Sequence, residues 1–77
     1  QSMRLDSIIS ELARISRRKA QELISQERVF VNFKEELRAS IKIEENTYIT
    51  IRGKGRFKIN KILNNTKSGK IFVEIEK

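Results

Sequence analysis

The apolar residues of this chain change their spacing once, near Arg28, and that change fixes most of what it can fold into. Leu5, Ile8, Ile9 and Leu12 fall at i, i+3, i+4 and i+7. They form one stripe of a helix, with Ser7, Ser10, Glu11 and Arg14 on the opposite face and Asp6 placed to cap its start. Ala20, Leu23 and Ile24 repeat the pattern, and Ser16 reads as the N-cap of a second helix. Only a residue or two separates the two stripes, so the helices must turn sharply and pack against each other. Both stripes read as core.

From Val29 the period moves toward 2. Val29 and Val31 alternate around Phe30, a turn follows at Asn32, Phe33 and Lys34, and a weaker extended stretch runs from Leu37 to Ile43. Glu45 and Asn46 form the next turn, since asparagine tolerates the left-handed conformation. A strand is predicted over 48–52 with Ile49 and Ile51 inward. Gly53-Lys54-Gly55 interrupts it, and a strand over 56–63 resumes with Phe57 and Ile59 inward. After a polar turn over 64–69, a last strand over 70–76 sets Ile71, Val73 and Ile75 on one face. Phe30 and Phe72 alternate away from these inward residues. The expected architecture is α+β, two short N-terminal helices packed on a small, mostly antiparallel sheet.

Seventy-seven residues make one domain, which buries only about 60 to 65% of the surface its unfolded chain exposes. The chain holds neither cysteine nor histidine. No disulfide framework supports the small core, and a reducing, cytoplasmic setting suits it. The same two absences remove the commonest metal ligands, the usual thiol nucleophile and the usual general base near neutral pH. The ten carboxylates are scattered or sit beside cations, and no GxSxG, Walker or GxGxxG pattern occurs. No active site, metal or cofactor is expected. No apolar run approaches the roughly 20 residues that span a bilayer, so no membrane role is expected either.

Seventeen Lys and Arg stand against ten Asp and Glu, a formal net charge of +7. That excess predicts attraction to polyanions and says nothing about fold. Its distribution says more. Ser16-Arg17-Arg18-Lys19 crowds three cations into the first turn of the second helix, where the helix dipole makes a cation unfavourable by about 0.3 to 1 kcal/mol. An anion docked on that turn reverses the sign, because the unpaired N–H groups and the side chains can all reach it. Arg4 and Arg14 belong to the same helical pair, and arginine grips two phosphate oxygens at once. The alternative is a solvated face in which Glu22 pairs with Arg18 at i+4.

In a second constellation, Arg52-Gly53-Lys54-Gly55-Arg56-Phe57-Lys58, every second residue is basic. The cations are expected to emerge on one side of the strands, as a hairpin tip that tracks a phosphate backbone or as an edge guarded by charge. Phe33, large and apolar at a turn, reads either as a stacking platform for an unpaired base or as packing over the end of the sheet.

Arg4-Leu5-Asp6, Leu12, Ser16-Arg17, Ala20, Leu23-Ile24 and Val29-Phe30-Val31-Asn32 resemble the S-four (S4) RNA-binding domain, named after the fourth protein of the small ribosomal subunit. The module also occurs in pseudouridine synthases, bacterial tyrosyl-tRNA synthetases and ribosome-associated heat-shock proteins. The resemblance implies an αL-type RNA-binding fold whose helices and following strands present a basic face to structured RNA. This chain departs from the general pattern at Glu27 and Phe33, where glycine is frequent, and at Asn46-Thr47. The missing glycine at Glu27 argues against a tidy left-handed helix cap. Asn32-Phe33-Lys34 together with the Arg52–Lys58 run is similar to the C-terminal domain of bacterial YlmH-like proteins. The resemblance implies a C-terminal module, residues 1–77, of a longer protein linked to cell division and to peptidyl-tRNA handling on the ribosome.

The expectation is therefore a non-catalytic module that binds structured rRNA or tRNA by multidentate phosphate contact, with no small-molecule substrate. Arg14 and Arg17 are placed at one phosphate, Arg4 and Lys19 flank it with Arg18 nearby, and Phe33, Lys34, Arg52, Lys54 and Arg56 extend the footprint. Two rivals stand beside it. A DNA-binding helix-turn-helix shares the tight helix pair, although its cations would not be confined to the start of the second helix. A protein-interaction module would use Phe33, Phe72 and the sheet edge.

Overall fold

The computed structural model describes residues 2–63 and 70–76. Strand β1 (Ser2–Arg4) leads into helix α1 (Leu5–Ala13) and helix α2 (Arg17–Ser25). Strands β2 (Val29–Val31), β3 (Lys34–Glu35), β4 (Lys42–Glu44), β5 (Tyr48–Ile51), β6 (Gly55–Leu63) and β7 (Lys70–Glu76) follow. Five of the strands form an antiparallel sheet in the order β3-β2-β5-β6-β7, and β1 pairs with β4 in a separate ribbon. The α+β expectation holds, and the helices cover one face of the sheet. No helix among the described residues is long and apolar enough to cross a membrane.

The two apolar periods meet in one core. Leu5, Ile8 and Ile9 of α1 and Ala20 and Ile24 of α2 are buried with Val29, Ile43, Ile49, Ile51, Phe57, Ile59 and Ile62. Each fully buried Ile or Leu contributes about 1.5 to 3 kcal/mol. Leu12 and Leu23 pack at its margin. The predicted turn over 64–69 lies outside the described residues.

Several expectations are corrected. Asp6 does not cap α1: the N-cap position is Arg4, which makes no side-chain capping bond. The backbone supplies the cap instead, because the Leu5 and Asp6 N–H groups donate to the Ile41 and Ala39 carbonyls at 2.9 and 3.1 Å. That leaves the Asp6 carboxylate for other partners. Of the extended stretch expected over 37–43 only Lys42 and Ile43 are strand, as part of β4, and the chain between β3 and β4 is irregular. Ile75 stands in register with the buried Phe57 but belongs to the edge strand β7 and is exposed, not inward as expected. Glu27 takes φ +63° despite its side chain, with Glu27 N–H on Ile24 C=O and Arg28 N–H on Leu23 C=O, both at 3.2 Å. The left-handed Schellman cap of α2 therefore forms without glycine.

The sheet is fixed by register. Val29, Phe30 and Val31 face Ile51, Thr50 and Ile49, while Tyr48, Ile49, Thr50 and Ile51 face Lys58, Phe57, Arg56 and Gly55. Alternation then places the Val and Ile residues toward the helices. Phe30, Tyr48, Thr50, Arg56 and Lys58 lie on the opposite, open face.

Candidate nucleic-acid interface

The turn between the helices is fastened at Ser10. Helix α1 ends on Arg14 at φ 55°, and the Ile15 N–H donates to the Ser10 carbonyl at 3.1 Å. The Ser10 hydroxyl donates in turn to the Ile15 carbonyl at 2.6 Å. Ser16 then caps α2 as expected, its Oγ accepting from the Lys19 N–H at 3.1 Å. No acidic residue occupies the first turn of α2, and Arg14, Arg17, Arg18 and Lys19 are all exposed. No ion pair joins Arg18 to Glu22 among the described residues; those found there are Arg4–Asp6, Arg17–Asp6 and Arg38–Glu36. The helix start is thus a positive, solvated turn whose own dipole adds to the charge.

Beneath it lies Asp6, fully buried. Its Oδ1 accepts from Arg4 Nε at 3.2 Å and its Oδ2 from Arg4 Nη2 at 2.9 Å. Gln21 Nε2 reaches the same Oδ2 at 2.9 Å, and Arg17 Nε lies 3.3 Å from it. Burial by itself pushes the carboxyl up. The hydrogen bonds from Gln21, Arg4 and Arg17, with the charge of Arg17, outweigh that and hold it below its ordinary value. The consequence for the candidate site is uneven. Arg4 presents its fork to Asp6, whereas Arg17 engages through Nε and keeps a half-exposed side chain. Asp6 and Gln21 organise the turn, and sequence reading assigned them no such role.

The second constellation divides at its glycines. Gly53 and Gly55 take φ values of +88° and +114°, so the tip turns tightly there. Lys54 falls beside α2, in a shallow groove with Ile15, Lys19, Glu22, Leu23 and Gln26. Arg56 and Lys58 continue along β6 on the open face. The cations do not all emerge on one side, because the turn carries Lys54 toward the helices before the strand alternation resumes. Arg52 is exposed at the start of this turn, its N–H on the Arg28 carbonyl at 2.8 Å. Lys34 is exposed on the short edge strand β3.

Phe33 does not bury itself over the sheet. It is 57% exposed, in a two-residue hairpin loop between the paired residues Val31 and Lys34. Asn32 and Phe33 both take positive φ, 50° and 70°, the mark of a type I′ turn that favours Asn-Gly. A side chain larger than Asn in that conformation costs about 1 to 2 kcal/mol. The Phe33 ring stacks on Tyr48 with centroids 5.4 Å apart, and the Arg56 guanidinium lies 4.8 Å from the Phe33 centroid. Lys58 Nζ sits 5.9 Å from the Tyr48 ring. Sequence reading paired neither Tyr48 with Phe33 nor Lys58 with Tyr48; the signal is the register, visible only once β2, β5 and β6 are paired. Among the described residues no cluster of acidic side chains is placed to hold a metal ion.

Residues 3–47 match the family model of the S4 domain. The chain belongs to the S4 domain family. It is also 37% identical, over 76 residues, to the ribosome-associated protein quality control protein P2 of Bacillus subtilis (strain 168), a YlmH-like protein. That alignment covers 99% of this chain and 30% of the relative, so the chain spans less than a third of its length. The match to the S4 domain takes in both helices, the Ser10-fastened turn and the Asp6 cluster. The Gly53–Gly55 tip, Tyr48, Arg56 and Lys58 lie beyond it and are reached by the alignment with the longer relative.

Proposed function

We propose that this S4 domain is a non-catalytic RNA-binding module that works at the ribosome and recognises the shape and phosphate geometry of structured rRNA or tRNA. The observation that carries the proposal is the turn at the start of α2, where Arg14, Arg17, Arg18 and Lys19 are exposed together with no acid in the first helical turn. Membership of the family and the name of the Bacillus subtilis relative support it. A phosphate at that turn meets Arg17, whose Nε is anchored on Asp6 while its side chain stays half-exposed. Arg14 and Lys19 approach it from the two sides of the turn, and Arg18 adds charge. Arg4 acts chiefly by holding Asp6. Lys54 extends the footprint along the groove beside Lys19, and Arg52 and Lys34 extend it at the rim. Duplex RNA suits such a surface, because its deep major groove leaves phosphates and 2′-hydroxyls as the accessible features.

Fluorescence anisotropy with a labelled RNA hairpin and a matched DNA duplex, titrated across salt, tests the proposal. Contact with about five phosphates gives a log–log slope of roughly −3.5 to −4.5. Preference for the RNA, and a slope made shallower by about 1 when Arg18→Gln removes one contact, is the expected result. Equal affinity for the DNA duplex, or affinity indifferent to salt, overturns it.

A further inference from the structure

Four of the five aromatic residues avoid the core. Phe57 is buried, whereas Phe30, Phe33, Tyr48 and Phe72 lie on the open face of the five-stranded sheet or its hairpin, opposite the helices. Three of the four gather around one cleft with two cations. The cleft is lined by Phe30, Phe33, Thr50 and Arg56, with Tyr48 stacked behind Phe33 and Lys58 over Tyr48.

We infer that this cleft is a second RNA site, which takes an unpaired nucleotide by stacking its base on Phe33 and Phe30 and meeting its phosphate with Arg56. The inference rests on the RNA-binding reading above but concerns a different surface. Three observations carry it. First, Phe33 holds a backbone conformation unfavourable to it while its ring stays exposed, so burial does not explain its presence; strain of this kind collects where a side chain serves a ligand. Second, the platform is rigid. The Asn32 N–H donates to the Tyr48 carbonyl at 2.8 Å, and Asn32 Oδ1 accepts from the Tyr48 N–H at 3.0 Å, which locks the loop carrying Phe33 to the strand carrying Tyr48.

Third, the cations are turned toward the rings. Arg56 and Lys58 pair across strands with Glu76 and Glu74, yet neither makes an ion pair with them among the described residues, and both lie over the aromatic faces instead. The cleft thus offers the Phe30 ring, the Thr50 hydroxyl and, among the described residues, a guanidinium with no carboxylate partner, which swings from over Phe33 to the phosphate as a base takes its place on the ring. An anionic ligand with an aromatic ring satisfies all of these, and a base-paired nucleotide cannot present its ring face. An apolar peptide side chain would leave both cations uncompensated.

Tyr48 is the single tyrosine in a chain without tryptophan, so its emission reports the platform directly. The experiment titrates the domain with single-stranded oligouridylate and oligoadenylate, a blunt RNA duplex, inorganic polyphosphate and a short aromatic peptide, and repeats each titration with Phe33→Gly. The variant restores the Asn-Gly pair that this turn favours. Quenching of Tyr48 by the single strands alone is expected. Phe33→Gly should weaken single-strand binding roughly tenfold, within the range of one lost base–aromatic stack, while duplex affinity stays unchanged and the Tm holds or rises.

A lower Tm for Phe33→Gly means that the ring serves packing, and unchanged single-strand affinity means that it serves no base; either overturns the inference. Quenching by an aromatic peptide but not by oligonucleotides would make the face a protein-docking surface and overturn it as well. Lys19→Glu separates the two readings. If it weakens duplex binding while Phe33→Gly changes nothing, only the cleft is refuted; if neither variant matters, both readings fail.

Discussion

Asp6 sets the geometry of the helix turn from inside the protein. A carboxylate without solvent exposure stays ionised only where its partners offset its desolvation, and here Gln21, Arg4 and Arg17 do so. Its value is lowered in the folded state, so the stability it contributes is complete above the unfolded value, about 3.9, and is lost as the pH falls through the folded one. Asp6→Asn should lower stability at pH 7 by about 1.5 to 3 kcal/mol, the scale of a hydrogen bond to a charged group. It should also flatten the decline in urea midpoint below about pH 4. A smaller decline persists in the variant, because the hydrogen bond from Arg38 holds Glu36 low as well. Midpoints measured from pH 2.5 to 7 decide the matter: parallel curves for the two proteins would mean that Asp6 does not carry this pH dependence.

Helix α2 illustrates a conflict between stability and binding within one element. Ser16 at the N-cap is half of a capping box, whose other half is Glu or Gln at the third helical position. That position holds Lys19. Lys19→Glu supplies the missing carboxylate and complements the helix dipole, while adding repulsion with Glu22 at i+3 worth about 0.2 to 0.5 kcal/mol. A net gain of about 0.5 kcal/mol in urea unfolding is expected, together with weaker hairpin affinity in the anisotropy titration. A gain in both would remove Lys19 from the interface.

This conflict was legible in the sequence, because capping and charge act within four residues. The helices and strands were legible for a similar reason, since period 3.6 and period 2 are local patterns. The Asp6 cluster was not, because Gln21 lies 15 positions away and meets Asp6 only after the helices pack. Neither was the stacking of Phe33 on Tyr48, which depends on the pairing of β2 with β5. At Glu27 local reasoning disfavoured a left-handed cap that the fold nevertheless imposes, with two hydrogen bonds offsetting the strain.

Across the whole molecule the two candidate surfaces lie on opposite sides of the sheet, and the Gly53–Gly55 tip joins them. Lys54 stands beside α2 and Arg56 begins the open face, so a nucleic acid that used both would pass around this tip. Among the described residues Lys19 and Phe33 share no side-chain partner, and changes at sites so placed usually add to within about 0.3 to 0.5 kcal/mol. For a hairpin with an unpaired loop, the loss in binding free energy of the Lys19→Glu, Phe33→Gly double variant should therefore equal the sum of the two single losses. The cycle has two informative departures. A double variant no worse than the weaker single would mean that losing either surface already forfeits the other, so that the two act as one site. A loss that exceeds the sum by more than about 1 kcal/mol, well outside that additivity, would mean that the RNA can occupy either surface alone, one at a time.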